Sequence, residues 1–199
     1  MLSNDYIVGL VDGEGSFTAY VRNLAESTEK IRRVRIEPRF YIKLIEKDKQ
    51  VLDSLKEYFK CGNVYFQKDN RKNHQHCYRY EVSNRADIEK FIIPFFKKNR
   101  LRFPSKRKDF EIFCRIMAAI KRGEHLTDKG LNSLYQLKQK MQDNRAAQMK
   151  AMLSTLVSQG VITQVQADAR LQVMQTRMQN AGKGQGRGHG MRGMREGME

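Results

Sequence analysis

The chain has 199 residues, of which 40% are hydrophobic and 30% charged, and its formal net charge is +16. This length can bury one sizeable core with an appendage, and the surplus of Lys and Arg indicates a polyanionic partner such as nucleic acid. The cysteines form no CxxC pair and no apolar run is long enough to span a bilayer. These features argue against a disulfide framework and a membrane partner, and they favour a reducing compartment, cytoplasmic (nucleoid-associated) or organellar rather than secreted.

The first predicted element is an apolar helix over residues 5–12, followed by a strand over residues 16–23. Gly9 leaves a flat spot on the helix where another backbone can approach. Gly13 and Gly15 can take positive φ and stop the helix. Glu14, between them, should therefore lie at the C-terminal tip of a helix, where a sheet begins. The negative end of the helix dipole disfavours an anion, so a carboxylate there indicates that a cation binds it.

A second strand is predicted over residues 32–45, bent or bulged at Pro38, and it pairs with the first as a hairpin. The pattern then changes to helical spacing over residues 47–59, with Asp48 as the N-cap and Gly62 as the cap that follows.

Two more strands are predicted at residues 64–66 and 78–82, on either side of a polar loop, and a short helix over residues 86–93 ends at Pro94. The resulting order is helix, two strands, helix, two strands, helix. It predicts an α+β fold with helices on one face of an antiparallel sheet.

The other face of the predicted sheet is free and rich in basic side chains. An open sheet of this kind can lie in the DNA major groove, where side chains reach base edges. The alternative is a solvated sheet face without a partner. The predicted DNA contacts on the strands and the polar loop are Arg22, Arg33, Arg35, Arg39, Lys68, Arg71, Lys72 and Arg79.

Seven of the twelve residues from 97 to 108 are basic. Such a run can be a solvated or targeting segment, but its place between the sheet and a helix favours phosphate contacts, with Lys98 and Arg107 among them. Helices over residues 109–121 and 127–141 follow and complete the predicted fold.

The stretch Ile7-Val8-Gly9-Leu10-Val11-Asp12-Gly13-Glu14-Gly15 resembles the signature motif of the LAGLIDADG homing endonucleases. The resemblance covers residues 5–143. It implies an α-β-β-α-β-β-α fold with a saddle-shaped antiparallel sheet and helices on one face. Family members cut long, specific double-stranded DNA sites with a divalent metal, usually Mg²⁺, with Mn²⁺ as a substitute.

The motif occurs once in this chain. The resemblance therefore implies a homodimer on a pseudo-palindromic site, in which two motif helices pack side by side. The interface residues that it implies are Val8, Gly9, Val11, Asp12 and Gly13.

The resemblance also implies roles for individual residues. Glu14 holds the catalytic metal, and Asp12 is mainly structural at the helix end. Glu46 falls near a polar residue that helps to position water or metal. Lys106 falls near the active-site lysine of the family, with Lys98 as the alternative. As plain residues, Glu46 is a helix-start acid and Lys106 a phosphate contact.

His74, His76 and Cys77, with Cys61 upstream, are residue types that bind zinc, but their spacing matches no standard finger. DNA contacts by the histidines and a buried Cys77 are the favoured interpretation.

The composition changes after Asp143. The pattern of residues 144–180 predicts a helical hairpin extension. Gly160 ends its first helix, and Thr163 is the predicted N-cap of the second. Residues 181–199 are rich in Gly and Arg, which predicts a disordered tail with non-specific affinity for nucleic acid.

Two functions from different classes follow from this sequence. The first is a site-specific, metal-dependent DNA endonuclease. The second is a binding protein on the same fold, either a maturase for intron RNA or a DNA-binding regulator that does not cut. Glu14 separates them only in part, because a maturase can keep it.

Overall fold

The structure is a computed structural model that describes residues 2–24, 36–69 and 75–181. Its four strands form one antiparallel sheet in the order β1-β2-β4-β3. They are β1 (Gly15–Val21), β2 (Ile36–Ile45), β3 (Asn63–Gln67) and β4 (Cys77–Val82). The hairpin of β1 and β2 was predicted, and β4 lies between β2 and β3 and pairs antiparallel with both.

The described helices follow the predicted order along the chain. They are α1 (Asn4–Glu14), α2 (Lys49–Phe59), α3 (Arg85–Asp87), α4 (Ile93–Lys98), α5 (Pro104–Lys121), α6 (Asp128–Ser158) and α7 (Gln164–Ala181). The predicted α+β class, with helices packed on an antiparallel sheet, is confirmed.

The core lies between the sheet and the helices, and strand alternation decides which side chains enter it. Phe17 of β1, Phe40 of β2 and Tyr80 of β4 are fully buried. The Phe17 ring lies 5.1 Å from the ring of Phe40 and 5.0 Å from that of Phe110 on α5. Because side chains on a strand alternate between faces, the neighbours of these residues are left on the open face of the sheet.

Two predictions made from prolines are wrong. Pro38 causes no bulge, because the pairing register of β2 with β1 runs through it without an extra residue. The ladder between β2 and β4 stops at Phe40, so no neighbouring strand needs the N–H that Pro38 lacks. Pro94 does not end the helix before it, since a π-helical turn at Ile88–Ile92 leads directly into α4, with Pro94 near its start.

Capping residues also differ in detail from the prediction. Asp48 occupies the N-cap position of α2, but its side chain makes no capping hydrogen bond. Helix α2 ends at Phe59, and its C-cap is Lys60, two residues before Gly62, with a left-handed φ of 54°. The predicted basic run becomes partly helical, because α5 begins at Pro104 rather than at residue 109.

The chain divides into two compact units, residues 1–145 and 146–199. Helix α6 has 31 residues and continues through the predicted break near Met141, since no Gly or Pro occurs between Leu131 and Gln159. The predicted turn at Gly160 is confirmed by its φ of 71°, and Thr163 caps α7 by accepting from the N–H of Gln166. Of the predicted tail, only Ala181 lies within the described residues.

None of the helices within the described residues is long and apolar enough to cross a membrane.

Candidate active site at the tip of the first helix

Helix α1 delivers Glu14 to the start of β1. Its first turn is capped by Ser3, which accepts from the N–H of Tyr6 at 3.2 Å, and its last hydrogen bond runs from Gly15 N–H to Val11 O. Gly15 has an extended φ of −74°, so the predicted left-handed conformation is wrong. Glycine is needed here for space, because a Cβ at Gly15 would lie 2.5 Å from Val11 Cγ1 and 2.8 Å from Val11 O.

The Glu14 side chain is exposed and makes no hydrogen bond or ion pair with another described residue. A carboxylate at the C-terminal end of a helix is destabilised by the helix dipole, and a bound cation removes that penalty. Mg²⁺ binds through one or two carboxylates and completes its shell with water and phosphate oxygens. The donor chemistry at Glu14 therefore fits the divalent metal that the sequence predicted.

Helix α5 brings the second functional group to the same place. The Lys106 ammonium group, in the first turns of α5, donates to the carbonyl of Gly15, directly beside Glu14. Lys106 is half-buried, and this burial lowers its pKa. The neighbouring Arg145 lowers it further, whereas the carboxylates of Asp109 and Glu14 oppose the shift.

Lys98, the alternative to Lys106, lies at the wrong end of α1. It is the last residue of α4, and the next residue, Asn99, accepts from the Asn4 side-chain amide at 3.3 Å. Asn4 is the first residue of α1, and at 1.5 Å per residue the helix places Glu14 roughly 15 Å away. The structure thus brings Lys106, and not Lys98, to Glu14.

Asp12 is buried, with 4% of its surface exposed, and it has a structural role. Its two carboxylate oxygens accept from the backbone N–H groups of Arg102 at 2.8 Å and Phe103 at 3.2 Å. Phe103 occupies the N-cap position of α5 without a side-chain cap of its own. Hydrogen bonds to a charged group contribute about 1.5–3 kcal/mol each, so Asp12 fixes the start of α5 against α1.

Glu46 is exposed in a 3-10 turn after β2, where its N–H donates to His76 O at 3.1 Å. The register pairs Gly15 with Ile42, which lies four residues before Glu46. At the rise of a strand this separation is roughly 13 Å. The role of Glu46 in orienting water stays a prediction.

The open face of the sheet carries polar and charged residues from all four strands, and they include both signs of charge. Arg39 contacts Glu37 at 2.7 Å and Glu81 at 3.7 Å, and Arg79 contacts Glu81 at 2.6 Å. The guanidinium of Arg79 also lies 5.3 Å from the centre of the Tyr41 ring. Glu81 therefore holds two of the predicted DNA-binding arginines in fixed positions, and the face is less basic than the sequence suggested.

The other predicted DNA contacts are distributed unevenly. Arg22 follows β1 and is half-buried, whereas Lys68 and Lys98 are exposed. Arg107 donates to the backbone carbonyls of Leu101 at 3.3 Å and Arg102 at 3.0 Å, so it holds the loop before α5. Arg33, Arg35, Arg71 and Lys72 lie outside the described residues.

Two positively charged residues near the site were not predicted from the sequence. Lys43 is exposed on the open face, and alternation with Arg39 and Tyr41 along β2 would have identified it. Arg145 of α6 reaches the carbonyl of Phe17 from 128 positions away in the sequence. No local pattern in the sequence indicates that contact.

The histidine and cysteine cluster of the sequence does not assemble in the described part of the chain. The described residues contain no group of three or more His, Cys, Asp or Glu side chains placed to hold a metal ion. The His76 ring packs 5.4 Å from that of Phe66, and its Nδ1 accepts from Asp69 N–H at 3.2 Å. Cys77 is half-buried rather than buried, and His74 lies outside the described residues.

The predicted interface on α1 separates into two faces. Val8, Val11 and Asp12 are buried within the protomer, at 3%, 0% and 4% exposure. Gly9 and Gly13 are exposed, and a Cβ built on either meets no atom within 4 Å. Of the predicted interface residues on α1, Gly9 and Gly13 are therefore the exposed ones.

Fold and site together define an α+β protein with an exposed carboxylate and a half-buried amine where a glycine-bearing helix meets an open, charged sheet. The chain belongs to the LAGLIDADG endonuclease family, whose sequence profile matches residues 7–117. The predicted family and its fold are confirmed by this match and by the solved structures below.

The protein named probable intron-encoded DNA endonuclease 1 of Mycosarcoma maydis is 34% identical over 111 residues, which are 56% of this chain and 35% of that protein. The crystal structure of the homing endonuclease I-TnaI is 35% identical, covers 70% of this chain and 88% of its own, and has a TM-score of 0.57. The homing endonuclease I-SmaMI bound to cleaved DNA is 30% identical, covers 72% and 45%, and has a TM-score of 0.61. The chain thus spans about a third of its fungal relative.

Proposed function

We propose that this chain is a site-specific endonuclease for double-stranded DNA. It acts as a homodimer, with Mg²⁺ or Mn²⁺, on a long pseudo-palindromic site. The observation that carries the proposal is the placement of Lys106 beside Glu14, an exposed carboxylate without a hydrogen bond or ion pair to another described residue. Membership of the family supports it, as do relatives whose structures contain cleaved DNA, or uncleaved DNA with calcium.

Each group in the site has a distinct task. Glu14 holds the divalent metal, which when bound supplies an acidified water and stabilises charge on phosphate oxygens. The Lys106 ammonium offsets the charge that develops on the scissile phosphate. Asp12 keeps Lys106 within reach of Glu14 by fixing the start of α5.

The open sheet face holds the DNA in register for this chemistry. Arg39, Tyr41 and Lys43 of β2 lie beside Arg79 of β4 on that face. Exposed Lys43 suits a phosphate, whereas the arginines fixed by Glu81 suit base edges, since guanine presents two acceptors in the major groove.

The homodimer forms through the exposed face of α1 in this proposal. Gly9 and Gly13 are four residues apart, so they lie on one side of the helix and let a second backbone approach. A two-fold axis beside them brings two Glu14 carboxylates together and gives two half-sites.

Gly9→Leu tests the dimer without disturbing the protomer, because the new side chain enters open space. Overpacking costs about 1–3 kcal/mol, so we expect dimerisation to weaken by roughly 5- to 150-fold in sedimentation equilibrium. Gln136→Leu, which adds the same side chain at an exposed position of α6, is the matched control and should leave the dimer intact. A wild-type protein that is monomeric both free and on DNA contradicts the homodimer.

The endonuclease proposal is tested on a DNA duplex in which the two sequences that flank the intron or intein containing the gene are joined directly. This substrate is the joined-flank duplex. We expect a double-strand cut in Mg²⁺ and none in EDTA, with the interrupted allele as the uncut control. Binding of this duplex without cutting, in both Mg²⁺ and Mn²⁺, contradicts the proposal and favours the DNA-binding regulator. Tighter binding of the unspliced intron RNA than of the duplex, again without cutting, favours the maturase.

A further inference from the structure

Arg145 on α6 bonds to two other elements of the site at once. Its Nε donates to Asp109 Oδ2 of α5 at 2.9 Å, and its Nη2 donates to the Phe17 carbonyl of β1 at 2.9 Å. Arg145 lies 28 residues beyond the stretch that matches the family profile, which ends at residue 117. The contact is therefore a feature of this chain that the matched stretch does not contain.

Strand β1 is at the edge of the sheet, so its outward carbonyls have no strand partner among the described strands. Two cations occupy that edge: Lys106 donates to the Gly15 carbonyl and Arg145 to that of Phe17. Carbonyls two residues apart on a strand point the same way and are separated by roughly 7 Å. Lys106 and Arg145 are thus neighbours along the edge, and Lys106 is the one nearer to Glu14.

Asp109 connects Arg145 to the helix that carries Lys106. It pairs with Arg145 and lies one helical turn after Lys106 on α5. It is 7% exposed, and a carboxylate at that depth is stable only when paired with a cation. The partner is Arg145, whose side chain is 34% exposed. This ion pair holds the first turns of α5 against β1 at a second point, after the hydrogen bonds from Asp12.

We propose that Arg145 is a positioning residue for DNA cleavage: through Asp109 and the Phe17 carbonyl it holds Lys106 at the distance from Glu14 that the reaction requires. The inference rests on the proposed endonuclease function. Because the Arg145 guanidinium is engaged by Asp109 and the Phe17 carbonyl, we expect its loss to act on the rate of cleavage rather than on DNA affinity. A displacement of about 1 Å in a catalytic group can reduce a rate by about 100-fold.

The test compares Arg145→Gln with Lys140→Gln, a neutral substitution at an exposed lysine of the same helix. The probe is the joined-flank duplex that the wild-type protein cuts. For Arg145→Gln we expect a single-turnover cleavage rate in Mg²⁺ lower by about 10- to 100-fold. Its Kd for the same duplex in Ca²⁺ should stay within about 3-fold of the wild-type value, and Lys140→Gln should change neither.

Asp109→Asn should also slow cleavage, and the double variant Arg145→Gln/Asp109→Asn should be no slower than Arg145→Gln alone, because both single changes remove the same ion pair. Arg145→Lys keeps the charge opposite Asp109 and should recover part of the rate. If circular dichroism shows that Arg145→Gln does not fold, the cleavage rate of Arg145→Lys decides whether Arg145 positions Lys106. A cleavage rate unchanged by Arg145→Gln, or a loss of DNA affinity equal to the loss of rate, overturns the inference. A wild-type protein that cuts no duplex overturns the proposed function instead.

Discussion

Glu14→Gln should reduce cleavage of the joined-flank duplex in Mg²⁺ by about 10³-fold or more, a larger loss than removal of a single stabilising donor. The substitution keeps the size of the side chain but removes the charge that binds a divalent cation at the tip of α1. Because the Glu14 side chain is exposed and makes no hydrogen bond or ion pair with another described residue, the fold should be unaffected. The measurement is a single-turnover cleavage rate, with DNA binding followed separately in Ca²⁺.

Binding in Ca²⁺ by the Glu14→Gln protein should stay within a few-fold of the wild-type value, since phosphate contacts dominate affinity. Glu57→Gln, which neutralises an exposed acid on α2, controls for the change in net charge and should cut normally. Cleavage by Glu14→Gln at a near wild-type rate would show that the metal is held elsewhere and that the proposed mechanism is wrong.

The elements that position Glu14 were predictable because their signals are local. Apolar spacing defines α1, alternation defines β1, and the helix must stop where the two meet at Gly15. The physical reason for Gly15 was not predictable, since its contact with Val11 depends on the angle at which β1 leaves the helix. The sequence could indicate that a glycine is needed at this position. It could not show whether the reason is crowding or a positive φ.

The rest of the site depends on contacts between distant parts of the chain. Lys98 and Lys106 are equally basic in the sequence, and only the packing of Asn99 against Asn4 shows that one lies at the far end of α1. Arg145 is 36 positions from Asp109 and has no periodic or motif signal. Likewise, Glu81 reduces the basic character of the sheet face through pairing with Arg39, which a count of charges along one strand does not reveal.

Lys106→Met should lower the rate of cleavage by about 10²–10³-fold, because it removes the positive charge beside the scissile phosphate. Methionine preserves the length of the side chain in its half-buried position, so α5 should still pack on β1. The lost donor leaves the Gly15 carbonyl at the edge of the sheet, where water can replace it. The reaction is measured in Mg²⁺ under single-turnover conditions, together with DNA binding in Ca²⁺.

Lys98→Met makes the same change at the end of α4, roughly 15 Å from Glu14 by the length of α1. It should cut at the wild-type rate under conditions that saturate the DNA, because its charge is too far from the reacting phosphate to act on it through solvent. Both proteins lose one positive charge, so any difference between them reports position rather than net charge. Slow cleavage by Lys98→Met with normal cleavage by Lys106→Met would reverse the assignment of the active-site lysine. A similar loss in both that disappears when the DNA is saturated would mean that the two lysines act through DNA affinity, and the binding measurement in Ca²⁺ would then show it.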